Sequence, residues 1–382
     1  MLHRNIYLMY AISLLQGMVF YAPIAALYRT AQGVTISQIT LIEGISLILC
    51  LVFEVPWGML AERIGYKRTL VVCNLLYALS KLVFWQATDF TGFLIERILL
   101  SAVIAGLSGV DVSILYLSCS KSGSQQVFGI YNALQTAGLL FASLVYSRAL
   151  GDHYSAAGFL TLLSYAAAML LSLFLVEVRS PDRRPANHSR LLDSVGQLFS
   201  DRSLLLFLAA MALLQQTHQS VTVFFSQLQY QLCGMDAPAM GLAHILVSIA
   251  GLSAMLSPQV TKKLGAQGTL QLCCALCTVS CLLLFQFRLS WLSVLAVVAL
   301  RMAFSLLEPL QTQLQNHAVT SADRATALSI QTVVLDSTGA GISVMLGMVA
   351  EQDLPLSFLT GGVLCAISAI LLAIWSKSAL SR

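Results

Sequence analysis

Twelve long apolar stretches separated by polar breaks decide what this chain can become. They cover Asn5–Leu27, Ile39–Leu60, Thr69–Ala87, Gly92–Leu117, Gln125–Ala149 and Ala156–Val176, then Leu204–Tyr230, Ala239–Val260, Thr269–Phe287, Trp291–Leu314, Ala325–Val349 and Leu356–Trp375. A helix of roughly 20 residues crosses a hydrocarbon layer about 30 Å thick, so each stretch can span one. In lipid every backbone amide needs a partner within the protein, which makes these stretches helices. Composition agrees: 10% of the 382 residues are charged and 58% are hydrophobic, where a soluble domain carries about 25% charge. A net charge of +4 gives no support for nucleic-acid binding. The expected fold is an all-α membrane protein of twelve transmembrane helices.

Orientation follows from the loops. With the N-terminus in the cytoplasm, 15 of the 21 Lys and Arg residues fall on inner loops and tails. Only Arg29, Arg148 and Arg288 fall outside, while Lys81, Arg97 and Arg301 lie within helices. The positive-inside rule therefore places both termini in the cytoplasm and the chain in the inner (plasma) membrane. Tyr28 and Arg29 follow the first helix, with no small-residue cleavage site, so it reads as a retained span. The nine cysteines suggest no disulfide framework. The stripe Cys273, Cys274, Cys277 and Cys281 reads as apolar packing rather than a metal site. No metal or cofactor is expected.

The long polar break, Glu177–Ser203, is rich in Pro, Arg and Asn. It divides the chain into an N-terminal six-helix bundle (1–177), a cytoplasmic linker (178–203) and a C-terminal six-helix bundle (204–382). Leu191, Leu192, Val195, Leu198 and Phe199 recur at helical spacing, which suits either a short helix on the membrane surface or a solvated linker. The halves echo each other. Gly58, Glu62, Arg63 and Gly65 align with Pro258, Lys262, Lys263 and Gly265, and Arg97 and Arg301 each lie in the fourth helix of a half. Repeats of this size are a device of transporters.

The loop "GMLAERIGYKR", Gly58–Arg68, is the most specific motif. Gly65 permits a tight reversal, and Arg63, Lys67 and Arg68 hold the loop in the cytoplasm. Gly58, Glu62, Arg63, Gly65, Lys67 and Arg68 fill every place of a loop that resembles the signature of the major facilitator superfamily, with Glu62 where Asp is usual. "EVPWG", Glu54–Gly58, resembles a motif that precedes the loop in bacterial drug and metabolite exporters. The resemblance implies two pseudo-symmetric bundles, alternating access, and a cavity lined by the first, fourth, seventh and tenth helices. It implies that the loop is a conformational latch, with Asp111 facing Arg63 or Arg68 and Glu62 facing the start of the eleventh helix near Ala325.

Charges within the spans need a partner or a task, since burial costs roughly 2.5–3.5 kcal/mol each on insertion scales. Glu43, Lys81 and Arg97 share a depth of roughly 8–10 Å from the outer face, by a rise of about 1.5 Å per residue. Lys81 is expected to be compensated by Glu43 or Glu96. Arg301 and Asp336 lie nearer mid-membrane and are placed to pair. Glu308 precedes Pro309. A carboxylate in an apolar hollow can exchange a proton near neutral pH, which makes Glu43, Asp336 and Glu308 the candidate proton carriers. The run "QQTHQS" puts Gln215, His218 and Gln219 on the seventh helix, where such amide density suits a wet face. Gln16, Tyr21, Tyr131 and Asn132 are further candidates for lining a substrate cavity.

Together these features point to a monomeric secondary transporter, not an enzyme, in a lipid bilayer. Its expected partners are a small-molecule substrate and protons, and the expected activity is proton-coupled export of a small organic molecule. The fifth helix lacks the Gly-Pro-rich motif common in antiporters, so uptake of a polar or anionic solute by proton symport, with Arg97 or Arg301 as anion contact, is the alternative. A non-transporting membrane enzyme or sensor would need a polar catalytic cluster, and none is visible.

Overall fold

The computed structural model describes residues 2–108, 110–119, 124–151, 153–178, 202–318 and 324–380. The linker stretch Leu191–Phe199 lies outside them. The described residues form helices α1 (Leu2–Gly17), α2 (Ala25–Ala31), α3 (Ile36–Ile64), α4 (Tyr66–Gln86), α5 (Phe90–Leu107), α6 (Val110–Ser118), α7 (Ser124–Val145) and α8 (Tyr154–Ser172). After the linker come α9 (Arg202–Gln219), α10 (Ser226–Leu232), α11 (Ala237–Ala250), α12 (Ser257–Gln286), α13 (Ser290–Ala318), α14 (Arg324–Gln352) and α15 (Leu354–Leu380). Among them 11 stretches are long and apolar enough to cross a membrane. One of these, Ala237–Gln286, has 50 residues and contains the 3-10 stretch Gly251–Leu256 and the non-helical Gly265. It is long enough for two crossings, so the count is consistent with twelve.

Two compact units emerge. The first comprises Met1–Val34, Ile45–Arg184 and Asp236–Ile245; the second comprises Thr35–Gly44, Pro185–Met235 and Leu246–Arg382. Within the first unit, α1 packs on α7 and α8, and α4 packs on α5 and α8. Within the second, α9 packs on α14 and α15, and α12 packs on α13 and α15. The pairing scheme is the same. The seven buried residues of α4 (Thr69, Leu70, Cys73, Asn74, Ser80, Lys81 and Phe84) each have a buried counterpart in α12, 200 positions on.

The first span is not one continuous helix. It stops at Gly17 and resumes through the 3-10 turn Ala22–Ile24 into α2. A break exposes backbone groups that lipid cannot satisfy. One face of α8 satisfies them: Tyr165 donates to the Gln16 carbonyl at 2.6 Å, Ser164 donates to the Met18 carbonyl at 3.1 Å, and Thr161 Oγ1 accepts from the Phe20 amide at 3.0 Å. These three side chains recur at i, i+3 and i+4, one helical stripe. On the other side, Gly17 lies against the Gln135 carbonyl and Gly138 against the Leu14 carbonyl, so the α1 and α7 backbones meet where neither helix carries a side chain.

Asn5 ties the end of this unit to its start. Its amide donates to the Val176 carbonyl at 2.9 Å and accepts from the Val176 amide at 2.9 Å. That clamp sets the extended residues after α8 beside the turn at Gly65. Gly65 has φ 92° and ψ 161°, and Gly265 has φ 71° and ψ 168°. In both turns a threonine four residues on, Thr69 or Thr269, donates to the glycine carbonyl at 2.8 Å. Any other residue in this backbone region costs of order 1–3 kcal/mol. At Gly65 a methyl would also come within 2.9 Å of Glu177 Oε2, whereas at Gly265 it would meet open space. Gly65→Ala is therefore expected to lower the thermal unfolding midpoint of the detergent-solubilised protein clearly more than Gly265→Ala. Equal shifts would remove the Glu177 contact from the account.

Candidate functional site

The signature loop is built around a carboxylate that the motif does not contain. Glu177 Oε1 accepts from the Lys67 amide at 3.1 Å. It thus satisfies one of the free amides at the start of α4, where negative charge is also favoured by the helix dipole. Arg63, Gly65, Lys67, Arg68 and Glu177 line one pocket of the first unit. Sequence reading placed Glu177 at the start of the linker. The available signal was an acid standing directly after the last helix of a half whose loop is rich in bases. Gly58 and Glu62 belong to α3; the Glu62 side chain and its expected neighbour near Ala325 lie outside the described side chains. Asp111, in the first turn of α6, accepts from the Tyr131 hydroxyl at 3.4 Å and from the Val112 amide at 2.7 Å. The expected partners Arg63 and Arg68 are not in ion-pair contact with it in this conformation.

Three charges of the first unit, Arg29, Lys81 and Glu96, form a compact cluster. Glu96 lies 3.7 Å from Lys81 Nζ and 3.7 Å from Arg29. Glu96, not Glu43, is therefore the carboxylate found beside Lys81. Arg29, assigned to the outer side by the loop charges, is itself part of this buried cluster. Arg29 lies on α2, which follows the turn through Ala22–Ile24, and is buried to 7% exposure. Lys81 Nζ also donates to the Tyr21 hydroxyl at 3.0 Å and stands 5.3–5.7 Å from the ring centres of Tyr21, Tyr77 and Tyr165. Arg29 faces the rings of Phe84 and Phe93 at 5.3 and 5.7 Å. Ring faces attract cations, so the aromatic shell shares in holding two positive groups against one negative. Tyr21, a candidate lining residue, is buried here and stacked on Phe84 at 4.0 Å. Gln16 is buried too, donating to Asn74 Oδ1 at 2.6 Å.

The second unit holds the polar run of the seventh span. α9 ends at Gln219 and passes into a π-helical stretch, Ser220–Phe225. Gln215 and Gln219 are half-buried, and His218 is buried. The His218 ring lies parallel to Phe304, 4.2 Å away at 9°. Its Nε2 stands 3.5 Å from an Arg301 guanidinium nitrogen. Sequence reading set Asp336 opposite Arg301; the partner the structure shows for Arg301 is His218. On α13, Glu308 is exposed and lies two turns beyond Arg301. Asp336 and Arg97 are half-buried on α14 and α5, Glu43 is buried on α3, and Asn132 is exposed on α7.

The cysteine stripe of α12 is packed. Cys273, Cys274, Cys277 and Cys281 are fully buried, and the last two meet Cys365 of α15. Among the described residues no group of three or more His, Cys, Asp or Glu is arranged to hold a metal ion.

The sequence profile of the Major Facilitator Superfamily matches residues 6–344. An uncharacterized MFS-type transporter of Methanocaldococcus jannaschii is 29% identical over 139 residues. That match spans 36% of this chain and 36% of the relative, about a third of the length of each. Among solved structures, the nucleoside transporter NupG superposes with a TM-score of 0.81 at 16% identity, over 98% of this chain and 99% of that one. The POT family transporter PepTSo gives 0.77 at 13% identity, over 99% of each chain. A D-xylose-proton symporter gives 0.74 at 14% identity, over 97% of each. At such identities the likeness is one of fold.

The charge cluster makes a stability prediction. Glu96→Gln leaves two buried cations without their anion and should cost about 3–5 kcal/mol. Lys81→Met leaves Arg29 and Glu96 balanced and should stay within about 1–2 kcal/mol of the parent. Thermal unfolding in detergent compares them, and a Lys81→Met variant as unstable as Glu96→Gln would refute the charge-balance account.

Proposed function

The chain belongs to the major facilitator superfamily, a family of transporters rather than enzymes, and from that premise we propose a proton-coupled secondary transporter of a small polar organic molecule. It works by alternating access of its two six-helix halves, as a monomer in the plasma membrane with both termini in the cytoplasm. The observation that carries the reading is the polar face of Gln215, His218 and Gln219 on the seventh span, with Arg301 against His218. Such groups are costly against lipid and useful against a hydrated solute. Export is the favoured direction, on the resemblance of Glu54–Gly58 to the exporter motif. Uptake by proton symport is the second reading, and the unmatched positive charge of Arg301 favours it for an anionic solute. Glu43, Glu308 and Asp336 are the proposed proton carriers.

Flux in proteoliposomes under an imposed pH gradient tests both direction and coupling. A panel of nucleosides, pentoses, dipeptides and small carboxylates serves as the set of probes. Export predicts solute movement against the proton flow, and symport predicts movement with it. Flux indifferent to the gradient removes proton coupling.

The loop Gly58–Arg68 is proposed as the latch, seated on Glu177. Glu62→Gln and Arg63→Gln should each slow flux about tenfold or more, a barrier change of about 1.4 kcal/mol. Solute affinity in equilibrium binding should stay near the parent value. Unchanged flux in both variants counts against the latch.

A further inference from the structure

We propose that Arg301, His218 and the backbone at Gly251 form an anion-recognition site, so that the transported solute is a small organic anion whose carboxylate or phosphate docks on Arg301. The proposal rests on the reading of the chain as a transporter of a small polar solute, and it names the chemical class of that solute.

Arg301 differs from the other buried cations described above. Arg29 and Lys81 share Glu96. Arg301 lies in the apolar middle of α13, half-buried, and among the described residues no carboxylate comes within salt-bridge distance of it. Glu308 is on the same helix, but seven residues on, about 10.5 Å along the axis.

The guanidinium is nevertheless held in place from two sides. One terminal nitrogen faces His218 Nε2 at 3.5 Å, and the His218 ring is fixed by its stack on Phe304. With a guanidinium donor, His218 accepts at Nε2 and keeps its proton on Nδ1. The other terminal nitrogen lies 3.0 Å from where a Cβ on residue 251 would stand, so the fork occupies room that only glycine leaves. Gly251 opens the 3-10 stretch Gly251–Leu256, and Ser253 ties that stretch to α13 by donating to the Met302 carbonyl at 3.2 Å.

A guanidinium has five N–H donors in a planar fork. His218 engages one nitrogen, which leaves donors in the geometry that carboxylate and phosphate oxygens match in pairs. Ser305, one turn along α13, is 1% exposed, and its hydroxyl has no hydrogen-bond partner among the described residues. Gln215 and Gln219 flank His218 on α9, ready to contact the neutral part of the solute. The arrangement is a half-buried fork held on two sides, with spare donors and no carboxylate of the described residues in contact with it.

Matched pairs test it: benzoate with benzamide, and glucose 6-phosphate with glucose, titrated calorimetrically into the purified full-length protein. In at least one pair the anion should bind about tenfold or more tightly than its neutral twin. The responding pair tells carboxylate from phosphate. Arg301→Gln should bring the anion level with the twin. Arg301→Lys keeps the charge but loses the fork and should fall between. Gly251→Ala, which changes no charge, should also weaken the anion by displacing the guanidinium. Equal binding of both twins in both pairs, no binding of either anion, or anion binding that survives Arg301→Gln overturns the site. The same solutes offered to proteoliposomes separate the two readings. Flux without anion preference sinks this site and leaves transport standing, while anion binding with no flux of any probe keeps the site and sinks transport.

Discussion

In hydrocarbon a carbonyl or amide released from a helix can turn only to another part of the protein. The break after Gly17 exists because α8 presents Thr161, Ser164 and Tyr165 to the groups it frees. Much of the first unit follows from that one accommodation. After the turn α2 carries the buried Arg29, and Arg29 with Lys81 makes Glu96 tolerable in the interior. The corresponding positions on α15 are Gly361, Leu364 and Cys365, none of which offers a hydroxyl. There the equivalent span continues through a π-helical stretch instead of breaking.

The two units share a pairing scheme and differ in what they place at its centre. Tyr77 and Tyr165 flank the Lys81 cation; at the positions 200 later, Cys277, Cys281 and Cys365 pack thiol on thiol. A buried charge fixes geometry through partners that must all be present, while small thiols fill volume and demand little. The first unit therefore carries its strongest internal charge constraint at a place where the second is apolar. The second unit carries its charge elsewhere, on Arg301, held by an aromatic-stacked histidine and a glycine rather than by an acid.

The spans were legible because apolar length in a chain this poor in charge has one physical outcome. The repeat was legible too, through Gly65 and Gly265, and the structure gives both the same backbone conformation. What escaped the sequence depends on contacts between distant segments. Gly17 and Pro23 are local break signals, but the side chains that satisfy the freed backbone lie some hundred and forty residues away on α8. Arg29 follows an apolar run and so reads as a surface residue, yet it is buried against Glu96 of α5. Depth along a helix predicted that Lys81 needs an acid, and it offered both Glu43 and Glu96. Only the packing of α4 on α5 selects between them. His218 and Arg301 could each be flagged as polar groups in apolar spans, but their meeting needed the fold.

Glu177 stands at the boundary between the first bundle and the linker, with its carboxylate on the first turn of α4 and its backbone beside the Asn5 clamp at Val176. Through it the tether and the turn at Gly65 become mechanically one piece. Displacing Glu177 would therefore release the first turn of α4 and loosen the chain that leaves α8 in one step.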